Sequence, residues 1–224
     1  MNKLKFASVI LILMLLTGCS SMGLSSMNSA KGKINNGIYS GKIGERPGLG
    51  GFSVKVPQAS SNFEFSYMQM KEQIGSDMTY VSFGPAAIDF SIYRVFVGVR
   101  DQVSFEKFKT QAFPAMASLI AESYGQPIHK IYQKDINYHG HPAQYAVYTQ
   151  YLPSYFNPIN MHQIEGSMLT HAIYYIDYGK YLVMLWSMGN SSSGSNAITD
   201  KNRSQMINRT WKPQVEFVNS FRLY

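Results

Sequence analysis

The sequence predicts an α+β domain, an antiparallel β-sheet flanked by helices, and three observations lead there. Aromatic and β-branched residues alternate with polar ones in short strings such as Phe52-Ser53-Val54-Lys55-Val56 and Phe63-Glu64-Phe65-Ser66-Tyr67. That period of two belongs to half-buried strands. The abundance of aromatics, 16 Tyr and 13 Phe, points the same way. One long segment, from Ser104 to about Tyr124, carries helical spacing instead, and the later strand patterns are joined by short Gly-containing turns that make antiparallel hairpins.

The chain opens with MNKLKFASVILILMLLTGCS. Lys3 and Lys5 form a positive n-region, Phe6 to Leu16 an apolar h-region, and Leu16-Thr17-Gly18 places small residues before Cys19. An eleven-residue, largely apolar helix rises about 1.5 Å per residue, well short of a ~30 Å hydrocarbon core. Residues 1–18 therefore read as a secretory signal peptide rather than a membrane span. The ending resembles the lipobox of bacterial lipoproteins, Leu-x-Gly/Ala-Cys. By that resemblance the signal is cut before Cys19, whose thiol carries diacylglycerol and whose new amino terminus is acylated. Cys19 is the only cysteine, so a lipidated chain keeps no thiol for a disulfide, a metal thiolate or a nucleophile. Residues 19–36, rich in Ser, Gly and Asn after the cysteine, read as a lipidated flexible tether, and residues 37–224 as a single α+β domain. Ser20 stands where an aspartate marks inner-membrane retention, which implies the outer membrane, facing the periplasm, by resemblance to that sorting rule.

Within the domain, Ile38–Ile43 is a short opening strand, followed by a turn-rich connection with glycines at 44, 48, 50 and 51 around Pro47. GERPGLGG lacks the Gly-x-Gly-x-x-Gly spacing, the following helix and the Gly-Lys-Ser/Thr that phosphate cradles use. Strands follow at 52–56, 63–67, 79–83 and 88–99. Ser104 is a candidate N-cap for a helix whose face is Phe105, Phe108, Ala112, Met116, Leu119 and Ile120, with a kink or break expected at Pro114 and an end at Gly125-Gln126-Pro127. Strand patterns at 128–138 and 143–149 form a hairpin across His139-Gly140-His141-Pro142. Residues 153–166 read as a loop, 169–178 and 181–188 as a second hairpin, and 189–196 as a mobile loop. A short helix after Pro213 presents Val215, Phe217 and Val218.

Four motifs, Phe-x-Val-x-Val-Pro at 52–57, Gly-x-Pro-Ala at 140–143, YYIDYGKYLVML at 174–185 and Phe-Val-x-Ser-Phe at 217–221, occur with this order of elements. Together they resemble the PsbP-like α/β/α sandwich shared by the extrinsic photosystem II protein and small bacterial domains. The resemblance covers residues 37–224 and implies a binding or assembly module, with no catalytic residue carried over.

Removing residues 1–18 leaves 18 basic against 13 acidic side chains, a formal charge of +5. That excess suits anionic headgroups or cell-wall polymers, or simply solubility. No Lys/Arg run marks a nucleic-acid footprint, so nucleic acid is not an expected partner. The sequons at Asn190, Asn202 and Asn208 carry no weight in a bacterial lipoprotein. His139-x-His141 is the one local pair with metal-like spacing, and a site there would recruit His129, His162, His171 or Asp135. Gly140 and Pro142 suit an exposed hairpin tip better than a chelate. The carboxylates are scattered without an acid/base motif, and neither Gly-x-Ser-x-Gly nor a Ser-x-x-Lys set is present. No catalytic residue and no cofactor is assigned.

Tyr145, Tyr148, Tyr151, Tyr155, Tyr174, Tyr175, Tyr178 and Tyr181 crowd the two hairpins and their connection. Alternation would put about half of them on the solvent side, beside Lys180 and Arg94, as a contact surface for protein or glycan. The expected function is thus a lipid-anchored, non-enzymatic envelope module that binds an envelope protein or a cell-wall glycan. The alternative is an envelope hydrolase or metal-dependent enzyme using histidines of the 129–171 region.

Overall fold

The computed structural model describes residues 32–44, 48–56, 63–68, 78–83, 92–100, 103–124, 127–153, 155–157, 162–164, 166–193 and 214–224. Its largest sheet has seven strands in the spatial order β4 (Phe63–Met68), β5 (Met78–Phe83), β6 (Ile92–Val99), β12 (Tyr181–Ser193), β11 (Ser167–Asp177), β8 (His141–Leu152) and β7 (Ile128–Tyr138). Every neighbouring pair is antiparallel. A second sheet orders β1 (Lys33–Asn35), β2 (Ile38–Lys42), β3 (Gly51–Lys55) and β13 (Arg222–Leu223), and β9 (Tyr155–Asn157) pairs with β10 (His162–Ile164). Helix α1 spans Phe105–Tyr124 and helix α2 residues 214–220.

The period of two sorts the large sheet into two cores. On one face Val81, Val95, Val97, Val147, Tyr174, Val183 and Leu185 pack with Tyr39, Phe52 and Val54 of the second sheet and with Phe217, Val218 and Phe221 of the chain's end. On the other, Phe96, Ala146, Tyr148, Ile173, Tyr175, Leu182, Met184 and Trp186 pack with Phe108, Ala112 and Phe113 of α1. Strand β12 feeds both cores, which is why residues 181–188 are buried without interruption.

This arrangement corrects the helix-flanked α+β sheet and α/β/α sandwich. The chain is mostly antiparallel β-sheet in two sheets, and one face of the large sheet is covered chiefly by the second sheet, with only the short α2 beside it. Alternation within 38–42 and 51–55 marks strands but not which sheet they join. The two-residue β13 completes the small sheet, where the Tyr224 carbonyl accepts from Gly51 N at 2.7 Å and Tyr224 N donates to Gly51 O at 3.0 Å. A Cβ on Gly50 would collide with that same carbonyl. Gly50 and Gly51 thus leave room for Tyr224 to dock.

The turns explain the registers. Asn36 and Gly37 both have positive φ, 50° and 73°, between the paired residues Asn35 and Ile38. His139 and Gly140, at 49° and 88°, do the same between Tyr138 and His141. Both are two-residue loops of the I′ kind that matches strand twist. In the second, Asn137 Oδ1 accepts from Gly140 N at 2.8 Å. Between β11 and β12, Asp177 Oδ1 accepts from Gly179 N at 2.8 Å while Oδ2 pairs with Arg100 at 3.1 Å.

Ser104 caps α1, its Oγ accepting from Lys107 N at 3.2 Å. The helix runs unbroken through Pro114, so the expected break is absent. The loop expected over 153–166 contains the β9–β10 hairpin, and β12 continues through Gly189 to Ser193, opposite Ser167–Thr170, where a mobile loop was expected. Residues 88–91 and 194–196 of the expected strand and loop lie outside the described residues.

Candidate functional site

Cys19 lies outside the described residues, as does the side chain of His162. His139 occupies the exposed tip of the β7–β8 hairpin, its ring 4.5 Å from Tyr138. His141 opens β8 with its ring 4.4 Å from Tyr178. The two imidazoles thus rest on different tyrosines. His129 is exposed near the far end of β7, ten residues and so about 33 Å of strand from His139. Asp135 is exposed, accepting from Gln144 Nε2 at 2.7 Å. His171 is 0% exposed within β11. Among the described residues no three of His, Cys, Asp and Glu come together as metal ligands.

The tyrosines also depart from expectation. Tyr145, Tyr148, Tyr174, Tyr175 and Tyr181 are buried, and Tyr151 and Tyr178 half-buried, while the Tyr155 side chain lies outside the described residues. Both faces of the large sheet are covered, so alternation distributes tyrosines between two cores rather than between core and water. Arg94, expected beside exposed tyrosines, is half-buried with its guanidinium 4.3 Å from the Trp186 ring. Lys180 is exposed over Tyr181 at 5.2 Å.

What the register does assemble is a polar cluster under α1. Trp186 of β12 lies opposite Arg94 of β6, and His171 of β11 lies opposite both Met188 of β12 and Tyr148 of β8. Because opposed residues share a face, Arg94, Trp186, His171 and Tyr148 line one surface across four adjacent strands. Phe113 of α1 lies against them, its ring 4.3 Å from Tyr148, 5.3 Å from Trp186 and 5.6 Å from His171, with 5.7 Å between His171 and Trp186.

Hydrogen bonding there is incomplete. Arg94 Nε donates to Tyr80 OH at 3.2 Å, but Arg94 NH1 has no partner. Neither do His171 Nδ1 and Nε2 or Trp186 Nε1. A buried polar group left without a hydrogen bond costs about 1–3 kcal/mol relative to one that keeps it. Burial, then the nearby Arg94 charge, lowers the His171 pKa from 6.5 to about 3, so the ring is neutral at neutral pH. Burial, then the Tyr148 hydroxyl, raises that of Tyr175 well above its ordinary value. The cluster therefore presents N–H donors, one fixed positive charge and an aromatic wall.

Sequence reasoning singled out His171 as one of several lone histidines and Arg94 as a surface cation. It missed Trp186 and Phe113. The continuous apolar run around Trp186 signals burial on two sides, yet no local signal announces its partnership with Arg94.

No family model matches the chain, and a search of curated proteins finds no match. Among solved structures the chain is similar to a Pseudomonas aeruginosa protein of unknown function, at 11% identity, covering 78% of this chain and 92% of that one, with a TM-score of 0.31. It is also similar to a cyanobacterial PsbP from Synechocystis, at 11% identity, covering 81% and 98% of the two chains, with a TM-score of 0.34.

Proposed function

We propose that this chain is a lipid-anchored, non-enzymatic binding module of the bacterial envelope, tethered through Cys19 to the outer membrane and facing the periplasm. One observation carries the reading: charge, apolar length and small residues stand in the correct order before a single cysteine at residues 1–19. Tethering raises the local concentration of the domain, so that capture of a membrane-associated partner becomes effectively intramolecular. The partner is an envelope protein or a cell-wall glycan. In support, β7 ends the large sheet, and its eleven residues carry exposed Lys130 and Lys134. Those cations and the register shift between Lys130 and Tyr132 guard the edge against indiscriminate pairing while leaving a basic rim for polar contacts.

Replacing Cys19→Ser and following radiolabelled palmitate with cell fractionation tests the anchor. Loss of label and of membrane association is expected, and full retention of both would overturn it. Crosslinking of the native lipidated chain should then yield a partner that the Cys19→Ser chain captures far less.

A further inference from the structure

The second sheet has two faces of opposite character. Tyr39, Phe52 and Val54 enter the core from one of them. Alternation turns the intervening residues outward, and the register gathers them in rows. Asn35, Ile38 and Lys55 lie opposite one another in succession, as do Lys33, Ser40, Ser53 and Arg222. Lys42 lies opposite Gly51, and a Cβ on Gly51 would strike the Tyr224 ring, so that ring lies across the same face.

We infer that this outer face is a docking surface for an anionic phospholipid bilayer, the one that holds the chain's own lipid. Its charges and its apolar groups both fit that occupant. Lys33, Lys42, Lys55 and Arg222 are exposed. Lys55 is held by Glu216 at 3.2 Å, and the Arg222 guanidinium donates to the Asn219 and Phe221 carbonyls at 2.6 and 2.7 Å. Lys33 and Lys42 have no ion-pair partner among the described residues. Ile38 and Tyr224, 47% and 69% exposed, are the large apolar side chains left open among the described residues, and both stand on this face. Cations meet headgroup phosphates, while an amphipathic ring and an aliphatic side chain settle at the boundary with the acyl chains.

The covalent order of the chain brings a bilayer to this face. The segment that follows Cys19 enters the fold at β1, an edge strand of the same sheet. Lys33 stands fourteen residues after Cys19, so a lipid there keeps β1 within about 50 Å of the headgroups even at full extension. That nearness rests on the proposed anchor, whereas the attraction of the face does not.

The test uses residues 20–224, which keep every described contact because both cores lie within the compact unit Gly32–Tyr224. Without the lipid, binding reports the face alone, so this result and that of Cys19→Ser can fail separately. The chain is sedimented with vesicles of phosphatidylcholine alone or with about 30% phosphatidylglycerol. Partitioning onto the anionic vesicles should exceed that onto the neutral ones at least about tenfold, and about 1 M salt should abolish the difference. A cation at such a surface is worth about fivefold, so Lys33→Gln with Lys42→Gln should lower partitioning about 25-fold. Lys130→Gln with Lys134→Gln removes the same charge from β7 and should change it less than about twofold. Cys19 is the only cysteine, so Asn35→Cys in this chain gives a single labelling site on the face. A polarity-sensitive dye there should shift to the blue on anionic vesicles, and the same dye at Gln133→Cys on β7 should not. No preference for anionic vesicles, equal weakening by the two lysine pairs, or equal dye shifts would overturn the inference. Binding to heparin in solution without binding to vesicles would give the face to a glycan and overturn it as well.

Discussion

Because His171 is enclosed as a neutral ring, the chain should lose stability in mild acid, and the amount follows from the structure. In the unfolded chain the imidazole titrates near 6.5, and in the native core near 3. Protons therefore favour the unfolded state between those values. The stability tied to the neutral ring is complete above about pH 6.5, declines as the pH falls, and is exhausted below about pH 3. At about 1.4 kcal/mol per pH unit the whole interval is worth about 5 kcal/mol, and about 3 kcal/mol is gone by about pH 4. That is a large share of an ordinary domain's stability of about 5–15 kcal/mol. Carboxylates also titrate in this range, so the measurement is a difference. Urea denaturation of the parent and of His171→Leu is compared at about pH 7.5 and about pH 4. The variant's stability relative to the parent should rise by about 3 kcal/mol between the two, because a leucine side chain has no proton to gain. Parallel loss in both proteins would show that His171 is not protonated on unfolding in this range, and the reasoning from burial would fail.

Two further outcomes concern the joints of the fold. Tyr138 OH donates to the Val218 carbonyl at 2.6 Å, a buried link between β7 and α2. Tyr138→Phe should cost about 1 kcal/mol in urea denaturation, since that carbonyl also accepts from Phe221 N at 3.1 Å and is not left wholly unpaired. Asp177→Ala removes both the Gly179 bond and the Arg100 pair and should cost about 2 kcal/mol. Asp177→Asn keeps an acceptor for Gly179 and loses only a pair whose arginine is 45% exposed, so it should cost less than half as much. Equal losses for Asn and Ala would assign the stability to the ion pair rather than to the turn.

Much of the chain's local structure was legible because it is governed by near neighbours. Ser104 before an apolar stripe, Gly140 and Gly179 at hairpin tips, and the alternation of 52–56, 63–67 and 79–83 each report a short-range preference, and each appears in the structure. The Asn36-Gly37 pair is equally local and is a strong hairpin signal, but a boundary drawn between its two residues hides the β1–β2 hairpin. Other features depend on distant segments. Residues 38–42 pair with 51–55 in a separate sheet, whose far edge residues 222–223 extend by pairing with 52–53. Nothing in the strands themselves states that.

The same distinction accounts for the tyrosines and for the cluster under α1. Alternation along residues 169–178 assigns Tyr174 to one face and Tyr175 to the other, and it is silent about what covers each. Once α1 lies on one face and the second sheet on the other, both become core positions, and the supposed contact surface disappears. His171, two residues before Ile173 on the α1 face, is carried inward with its strand regardless of its polarity. Arg94 is carried in the same way by the pairing of β6 with β12. A sheet with apolar residues at these positions would pack with less penalty, so the polar side chains are not explained by the fold they sit in. Their shared face and their enclosure beneath Phe113 make them a unit, held together by the pairing of four strands rather than by any local preference.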